Sequence, residues 1–313
     1  MSRDNGPAMD SPAAGSPGFS FIIVSYNTLA LTRAAVLSIN RHAGKFPHEI
    51  ILVDNHSPDG SAAVLQKEFP NLNVLALADN RGFAAANNAG ARVARNEWLV
   101  LLNSDAELLA DTLPVLDDLL RRHPKIDVFG GQLLNADGSL QTSANFPSRP
   151  APDPNEPDGL RPVSRIIGAF MVIRRATWHK LDGMDEGFFF YGEEFDFCHR
   201  AAQAGACLRW TPRVRVLHHG GGSSKSIHLR AAVEFYESQH YYWRKTEPEK
   251  SYDAKIRKNR HRLFLRVVWY FALSVPTLFL LPAFTGRLRK YFHLYKWYSQ
   301  GCPKGWGLRP VAR

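Results

Sequence analysis

Three stretches of this chain are almost continuously apolar, and each ends in small polar or acidic residues. Phe19–Val24 runs into Ser25-Tyr26-Asn27, Ile50–Val53 into Asp54-Asn55-His56-Ser57, and Trp98–Leu102 into Asn103-Ser104-Asp105. A strand apolar on both sides needs cover on both faces, as parallel strands between helical layers have. Polar residues then collect at the carboxyl ends of the strands, where open α/β sheets bind ligands. The pattern predicts strands near 19–25, 49–54, 72–77 and 97–102, and helices near 28–42, 60–69 and 83–95, a doubly wound beginning.

Further along, a helix is expected near 111–123, with Asp111 as its N-cap and Pro124 as its stop. Asn135-Ala136-Asp137-Gly138 is a hairpin turn signature between Val128–Leu134 and Ser139–Ser143. Phe146–Pro162 holds six prolines and reads as a long loop of the kind lids use. Ile166–Ile173 reads as a strand, Glu193–Ala204 as a helix, Arg209–Leu217 as extended and His228–Lys245 as a helix.

The run Tyr191-Gly192-Glu193-Glu194-Phe195-Asp196 places three carboxylates in four residues after a Gly-rich turn, Leu181–Gly187. Carboxylates this close repel. A raised pKa would follow, and it suits a proton acceptor working near neutrality. The plainer reading is an acidic first turn favoured by the helix dipole.

The order of these segments resembles the family 2 inverting glycosyltransferases, and within them the rhamnosyltransferase-like group that builds bacterial surface polysaccharides. The resemblance rests on residues 22–27 (IIVSYN), 53–61 (VDNHSPDGS), 80–90 (NRGFAAANNAG), 101–108 (LLNSDAEL), 168–175 (GAFMVIRR), 181–205 and 218–224 (HHGGGSS). It implies an α/β fold of GT-A type, a Rossmann-like mixed sheet flanked by helices. Residues 19–245 would form the catalytic domain, its nucleotide-binding half at about 19–110 and its acceptor half at about 125–245. Residues 1–18 would be a disordered lead-in, and 246–313 a helical, membrane-associating extension.

The resemblance implies a donor that is a dTDP- or UDP-linked sugar, and an acceptor that is a glycan or a polyprenyl-linked glycan. Ser25, Tyr26, Asn27, Asp54, Asn80, Arg81, Gly82, Asn87 and Asn103 would hold the donor. Asp54 would accept the pyrimidine imide N–H. Asn80, Arg81 and Gly82 open a helix, whose backbone N–H groups suit an anion. Asp105 would hold Mg²⁺ or Mn²⁺; the usual Asp-x-Asp is here Asn103-Ser104-Asp105. His218 or His219 would complete the metal shell or touch the diphosphate, with the Gly/Ser run and Lys225 behind them. Glu194 stands at the catalytic base position, where the family's usual Glu-Asp pair is Glu193-Glu194. Glu193 would orient the loop or acceptor, and Asp196 would cap the helix or pair with Arg200. Two other classes fit the sequence less well. A dinucleotide oxidoreductase is disfavoured, since no G-x-G-x-x-G follows the first strand. A non-catalytic nucleotide-sugar binder is disfavoured by the carboxylates at the metal and base positions.

Three cysteines make no disulfide framework, which suits a reducing compartment. The net charge of +10 is uneven. From Arg244 onward, 16 Lys and Arg face 3 acidic residues, while the rest of the chain holds 23 basic against 26 acidic residues. An anionic partner is implied, and the uncharged run Val267–Phe284 favours lipid over nucleic acid. That run carries Pro276 and is flanked by basic residues. It reads as a re-entrant hairpin or interfacial insertion from the cytoplasmic face of the cell membrane, or else as a helix packed on the domain or at a homodimer interface.

Overall fold

The computed structural model describes residues 18–146, 158–220, 228–277 and 279–310, and in it the three apolar runs are the central strands of a mixed sheet. The chain divides into two compact units. One comprises the described residues up to Asp185 and those from Glu194 to 220; the other comprises Glu186–Glu193 and the described residues from 228 onward.

In the first unit the chain runs β1 (Phe19–Ser25), α1 (Leu29–His42), β2 (His48–Asp54), α2 (Ser61–Glu68), β3 (Asn73–Ala76), α3 (Gly82–Val93) and β4 (Trp98–Leu102). It continues through β5 (Ala106–Leu108), α4 (Thr112–Arg122), β6 (Val128–Leu134), β7 (Ala144–Asn145), β8 (Arg161–Pro162), β9 (Arg165–Ile166) and β10 (Phe170–Arg174). α5 (Arg175–Lys180), α6 (Glu193–Gln203) and β11 (Leu208–His218) follow. The sheet order is β3-β2-β1-β4-β10-β6-β11-β5, with β8 paired to β11; β7 and β9 make a separate pair. β1, β2, β3 and β4 are mutually parallel, β10 is antiparallel to β4 and β6, and β11 is parallel to β6. This is the mixed sheet of the expected fold class.

Alternation along the strands feeds two cores. Phe19, Phe21, Ile23, Leu52 and Val100 pack with residues of α1 and α4 on one face. Ile22, Ile51, Val53, Leu99 and Leu101 pack with α3 and α6 on the other. The small residues of α3 allow close approach. A Cβ at Gly90 would lie 2.6 Å from Ile22 Cγ2, so a side chain there would push the helix off the sheet.

Register fixes the edge that matters. Ser25 lies opposite Asp54, Phe170 opposite Leu102, and His218 opposite Ala106. The carboxyl ends of β1, β2, β4 and β11 therefore share one edge, and β10 begins there.

Several expectations are corrected. The expected strand 166–173 is two strands, β9 and β10, separated by a turn through Gly168. The Asn135–Gly138 turn forms, but its second arm pairs only through a Leu134–Leu140 bridge. Side chains replace the ladder: Ser143 Oγ accepts the Leu133 N–H at 2.8 Å, and Gln132 Nε2 donates to the Gln141 carbonyl at 2.8 Å. Asp111 sits at the N-cap position of α4 without a side-chain cap bond, because its carboxylate pairs with Arg215 at 2.5 Å. The expected lead-in through residue 17, most of the proline-rich loop (147–157) and the Gly/Ser run with Lys225 lie outside the described residues.

The second unit contains α7 (His228–Thr246), α8 (Glu249–Ser274) and α9 (Pro282–Ser299), so the boundary expected after residue 245 falls inside it. Its core is Val233, Leu263, Leu294, Trp297 and Tyr298. His240 stacks on Trp297 and shares a 2.7 Å hydrogen bond with the Tyr298 hydroxyl. α8 stops two residues before Pro276, whose ring cannot continue a helix. Among the described residues no helix is long and apolar enough to cross a membrane.

Candidate active site

The turn from β4 into β5 carries Asp105. Asn103 N–H donates to the Ala169 carbonyl at 3.0 Å, and Ala106 N–H closes the turn on the Asn103 carbonyl at 3.0 Å. Asn103 thus acts through its backbone in shaping the turn. Asp105 is 6% exposed, and its Oδ1 lies 3.3 Å from His218 Nε2. The other ring nitrogen, His218 Nδ1, lies 2.9 Å from Gln141 Oε1. The orientation of Gln141 is fixed because its Nε2 donates to the His218 carbonyl at 2.6 Å and to Asn135 Oδ1 at 2.7 Å. Nδ1 therefore carries a proton, and a neutral His218 points an Nε2 lone pair at a carboxylate oxygen. Two acceptors facing each other are bridged by a proton on Nε2 or by a cation between them.

These two residues fit the expected divalent ion. Hard oxygen and imidazole ligands suit Mg²⁺ and Mn²⁺, and such ions take one or two protein ligands plus phosphate oxygens. Among the described residues no group of three or more His, Cys, Asp and Glu is placed to hold a metal. The protein share of such an ion's ligands would then be the Asp105–His218 pair. His219 is placed differently: its Nε2 lies 2.8 Å from Glu107 Oε1, and its backbone N–H donates to the Asp105 carbonyl at 2.9 Å. Gln141 gave no sequence signal beyond its place in the expected hairpin arm.

The second cluster lies at the end of β2. Asp54 is 5% exposed; its Oδ2 accepts the Ser57 N–H at 3.1 Å, and its buried Oδ1 has no hydrogen-bond partner. A buried acceptor without a donor is costly, so this atom suits a ligand N–H. Ser57 Oγ accepts the N–H of Asn27, which sits in the left-handed region at φ 54°. Tyr26 is 40% exposed beside it. The Ser25 hydroxyl lies in a buried hydrogen-bonded cluster with Thr28 at 3.1 Å and Thr32 at 3.0 Å.

Asn55, which the sequence reading passed over, ties β2 to the start of α3. Its Nδ2 donates to Asn80 Oδ1 at 2.9 Å, and its Oδ1 accepts the Arg81 N–H at 2.9 Å. Gly82 N–H donates to Asn80 Oδ1 at 3.1 Å. The backbone N–H groups of Arg81 and Gly82, expected to meet an anion, are thus engaged by Asn55 and Asn80. The Arg81 side chain is exposed. Asn87, one turn on, is 1% exposed, with Nδ2 bonded to the Phe83 carbonyl and Oδ1 without a partner. Its neighbour Asn88 is structural: it exchanges two hydrogen bonds with the Met184 backbone, at 2.8 and 2.9 Å.

The third cluster is the first turn of α6. Glu194 is 7% exposed, and its Oε1 accepts from Arg165 Nη2 at 2.6 Å. The Arg165 guanidinium also lies over the Phe195 ring, 5.8 Å from its centroid. Asp196, 1% exposed, accepts from Arg200 Nε at 2.7 Å. Glu194 and Asp196 thus each pair with an arginine of their own. Arg200 also donates to the Leu181 and Gly183 carbonyls at 2.8 and 2.9 Å, fastening the Gly-rich turn to the helix. Glu193 is 4% exposed and belongs to the other compact unit.

Glu194 lies on the same sheet edge as Asp105. A Cβ at Gly168 would be 3.6 Å from Glu194 Cβ and 3.8 Å from the Phe83 ring, and the adjacent Ala169 carbonyl accepts from Asn103. The turn before β10 therefore joins the start of α3, the β4 turn and Glu194. This edge can hold an anion near a cation, accept an N–H at Asp54 and accept a proton at Glu194.

Comparison with known proteins gives a consistent picture. The family model described as Glycosyl transferase family 2 matches residues 20–181. An N-acetylglucosaminyl-diphospho-decaprenol L-rhamnosyltransferase of Mycobacterium tuberculosis (strain CDC 1551 / Oshkosh) is 24% identical over 236 residues, covering 63% of this chain and 77% of its own. Among solved structures, GalNAc-T7 with UDP, GalNAc and Mn²⁺ superposes with a TM-score of 0.59 at 19% identity, over 91% of this chain and 56% of that one. The mannosyltransferase PcManGT from Pyrobaculum calidifontis, in complex with GDP-Man and Mn²⁺, superposes with a TM-score of 0.57 at 14% identity, over 91% of this chain and 87% of its own.

Proposed function

The chain belongs to glycosyl transferase family 2, and we propose from that premise that it moves a sugar from a pyrimidine nucleoside diphosphate to a hydroxyl of a glycan or polyprenyl-diphosphate-linked acceptor, with inversion at the anomeric carbon. The observation that carries this reading is the sheet edge where the Asp105–His218 pair, the unpartnered Asp54 Oδ1 and Glu194 occur together. The decaprenol-linked rhamnosyltransferase relative supports a lipid-linked acceptor and rhamnose as donor sugar. Transfer of another hexose from a UDP-sugar is the second reading, favoured by the UDP in the GalNAc-T7 structure.

In this mechanism Asp54 accepts the base imide N–H, and Arg81 meets the diphosphate. Glu194, held by Arg165, takes the proton of the acceptor hydroxyl as its oxygen attacks the anomeric carbon and the nucleoside diphosphate departs. One displacement inverts the centre, so no covalent intermediate on the protein is required. A divalent cation at Asp105 and His218 would neutralise charge developing on the departing diphosphate. Glu193 orients the loop or the acceptor.

The test is a donor-turnover screen over purified nucleotide sugars with Mn²⁺, Mg²⁺ or chelator. Cation-dependent release of UDP or dTDP supports the reading. Tight binding of both nucleotides without turnover of any donor, even with lipid-linked acceptors present, would make the chain a nucleotide-sugar binder.

A further inference from the structure

We infer that the tip of the α8–α9 hairpin is a docking surface for anionic lipid, inserted into one leaflet only. Three observations on the second unit carry this. The first is exposure without packing. Between Val267 and Phe284 only Ser274 is buried among the described residues, although the run contains no charge. Trp269 is 62% exposed, Phe271 53%, Val275 47% and Leu280 76%. The core of the unit reaches Leu263 and Leu294 and does not extend to these side chains. Contiguous apolar surface of this kind marks an interaction site.

The second observation is a polar collar at one level of the hairpin. Tyr270 stacks on Tyr291 with centroids 5.4 Å apart. Arg266 donates to the Tyr291 hydroxyl and Arg287 to the Tyr270 hydroxyl, both at 3.1 Å. Aromatic and cationic side chains together are what anchors at a bilayer interface use. From Arg266 to Ser274 the helix rises ~12 Å, well under half of a ~30 Å hydrocarbon core, so the tip reaches into one leaflet. That agrees with the lack of any helix able to cross a membrane among the described residues.

The third observation is charge. From Ala254 to Arg313 the sequence holds 13 Lys and Arg and no Asp or Glu. A protein partner docking on the apolar tip would not need a collar of one sign, whereas anionic headgroups are attracted by it. A polyanion such as nucleic acid would be attracted by the collar but not by Trp269 and Leu280.

The test uses the full-length chain and vesicles of phosphatidylcholine with or without phosphatidylglycerol, at low and high salt. The expected result is binding that is stronger with phosphatidylglycerol and persists in part at high salt. Leu280→Glu, at an exposed position, should lower vesicle binding about tenfold while the circular dichroism is unchanged. Arg289→Gln with Lys290→Gln should remove much of the phosphatidylglycerol preference. Quenching by acyl-brominated lipid should be lost in Trp269→Phe. Several results would overturn the proposal: no vesicle binding, Leu280→Glu binding like wild type, or complete release at high salt. Self-association of the free chain that Leu280→Glu abolishes without changing vesicle binding would instead make the tip a contact between copies. None of these readouts involves sugar transfer, so they stand or fall separately from the proposed reaction.

Discussion

His218 Nε2 lies 3.3 Å from Asp105 Oδ1 because β11 pairs with β5 in a register that sets His218 opposite Ala106, while Gln141 turns the imidazole so that Nε2 faces the carboxylate. The neighbouring His219 is turned to Glu107 instead. Strand alternation thus distinguishes two adjacent histidines that look equivalent in sequence.

A divalent ion at the proposed site would follow that distinction. Gln141→Leu should weaken Mn²⁺-dependent nucleoside diphosphate binding at least tenfold, since the orienting partner of a metal-bound histidine is worth about 10–100-fold in affinity. His219→Ala should leave it within about twofold. Calorimetric Mn²⁺ titrations in the presence of UDP check both. A larger loss at His219 than at Gln141 would reverse the assignment.

In the proposed reaction, base recognition rests on Asp54 Oδ1. Asp54→Ala should weaken UDP and dTDP binding by about 10–100-fold, as expected for a hydrogen bond to a charged acceptor, and should not weaken binding of CDP, whose ring N3 carries no hydrogen. Equal losses for all three nucleotides in equilibrium titrations would mean that Asp54 only shapes the loop.

Arg200 serves stability rather than chemistry. Arg200→Met would strand the buried Asp196 carboxylate and free two carbonyls, at a cost of about 3 kcal/mol. Urea unfolding followed on the first unit should show it. A cost under about 0.5 kcal/mol would mean that water replaces the guanidinium.

Glu237 gives the second unit a pH dependence. Burial, and then the neighbouring Glu234 carboxylate, push the Glu237 carboxyl up to about 7 from its ordinary 4.5. The folded unit therefore holds a proton that the unfolded chain has released. The penalty is absent below pH ~4.5, grows as pH rises and is complete above about 7. Glu237→Gln should be more stable than wild type at pH 8 by about 1 kcal/mol, a figure reduced because the group is partly exposed, and the difference should vanish below pH ~5. Burial also pushes His240 down to about 4, but that group is common to both proteins and cancels in the comparison. A difference independent of pH would refute the assignment.

Much of the first unit was legible because its signals are local. Continuous apolar strands, the small-residue helix at Gly82–Val93 and the acidic turn at Glu194 and Asp196 each follow from spacing within a few residues. What was not legible depends on side chains that meet across the sheet. Arg165 is 29 positions from Glu194 and Gln141 is 77 from His218, and neither lies in a recognisable motif. Asn55 stands beside Asp54, so adjacency was a usable signal, but its partners at Asn80 and Arg81 come only from the pairing of β2 with the start of α3. The Arg81 and Gly82 N–H groups, expected to meet an anion, are taken by Asn55 and Asn80 through the same pairing.

The decisive measurement is donor turnover by Glu194→Gln beside wild type, with donor affinity measured on the same preparations. Loss of a general base predicts about a 10²–10⁴-fold fall in turnover, with Kd for the nucleotide sugar within about twofold of wild type. Turnover near the wild-type rate by a folded Glu194→Gln protein would contradict the assignment of the base, and with it the reaction proposed for this sheet edge.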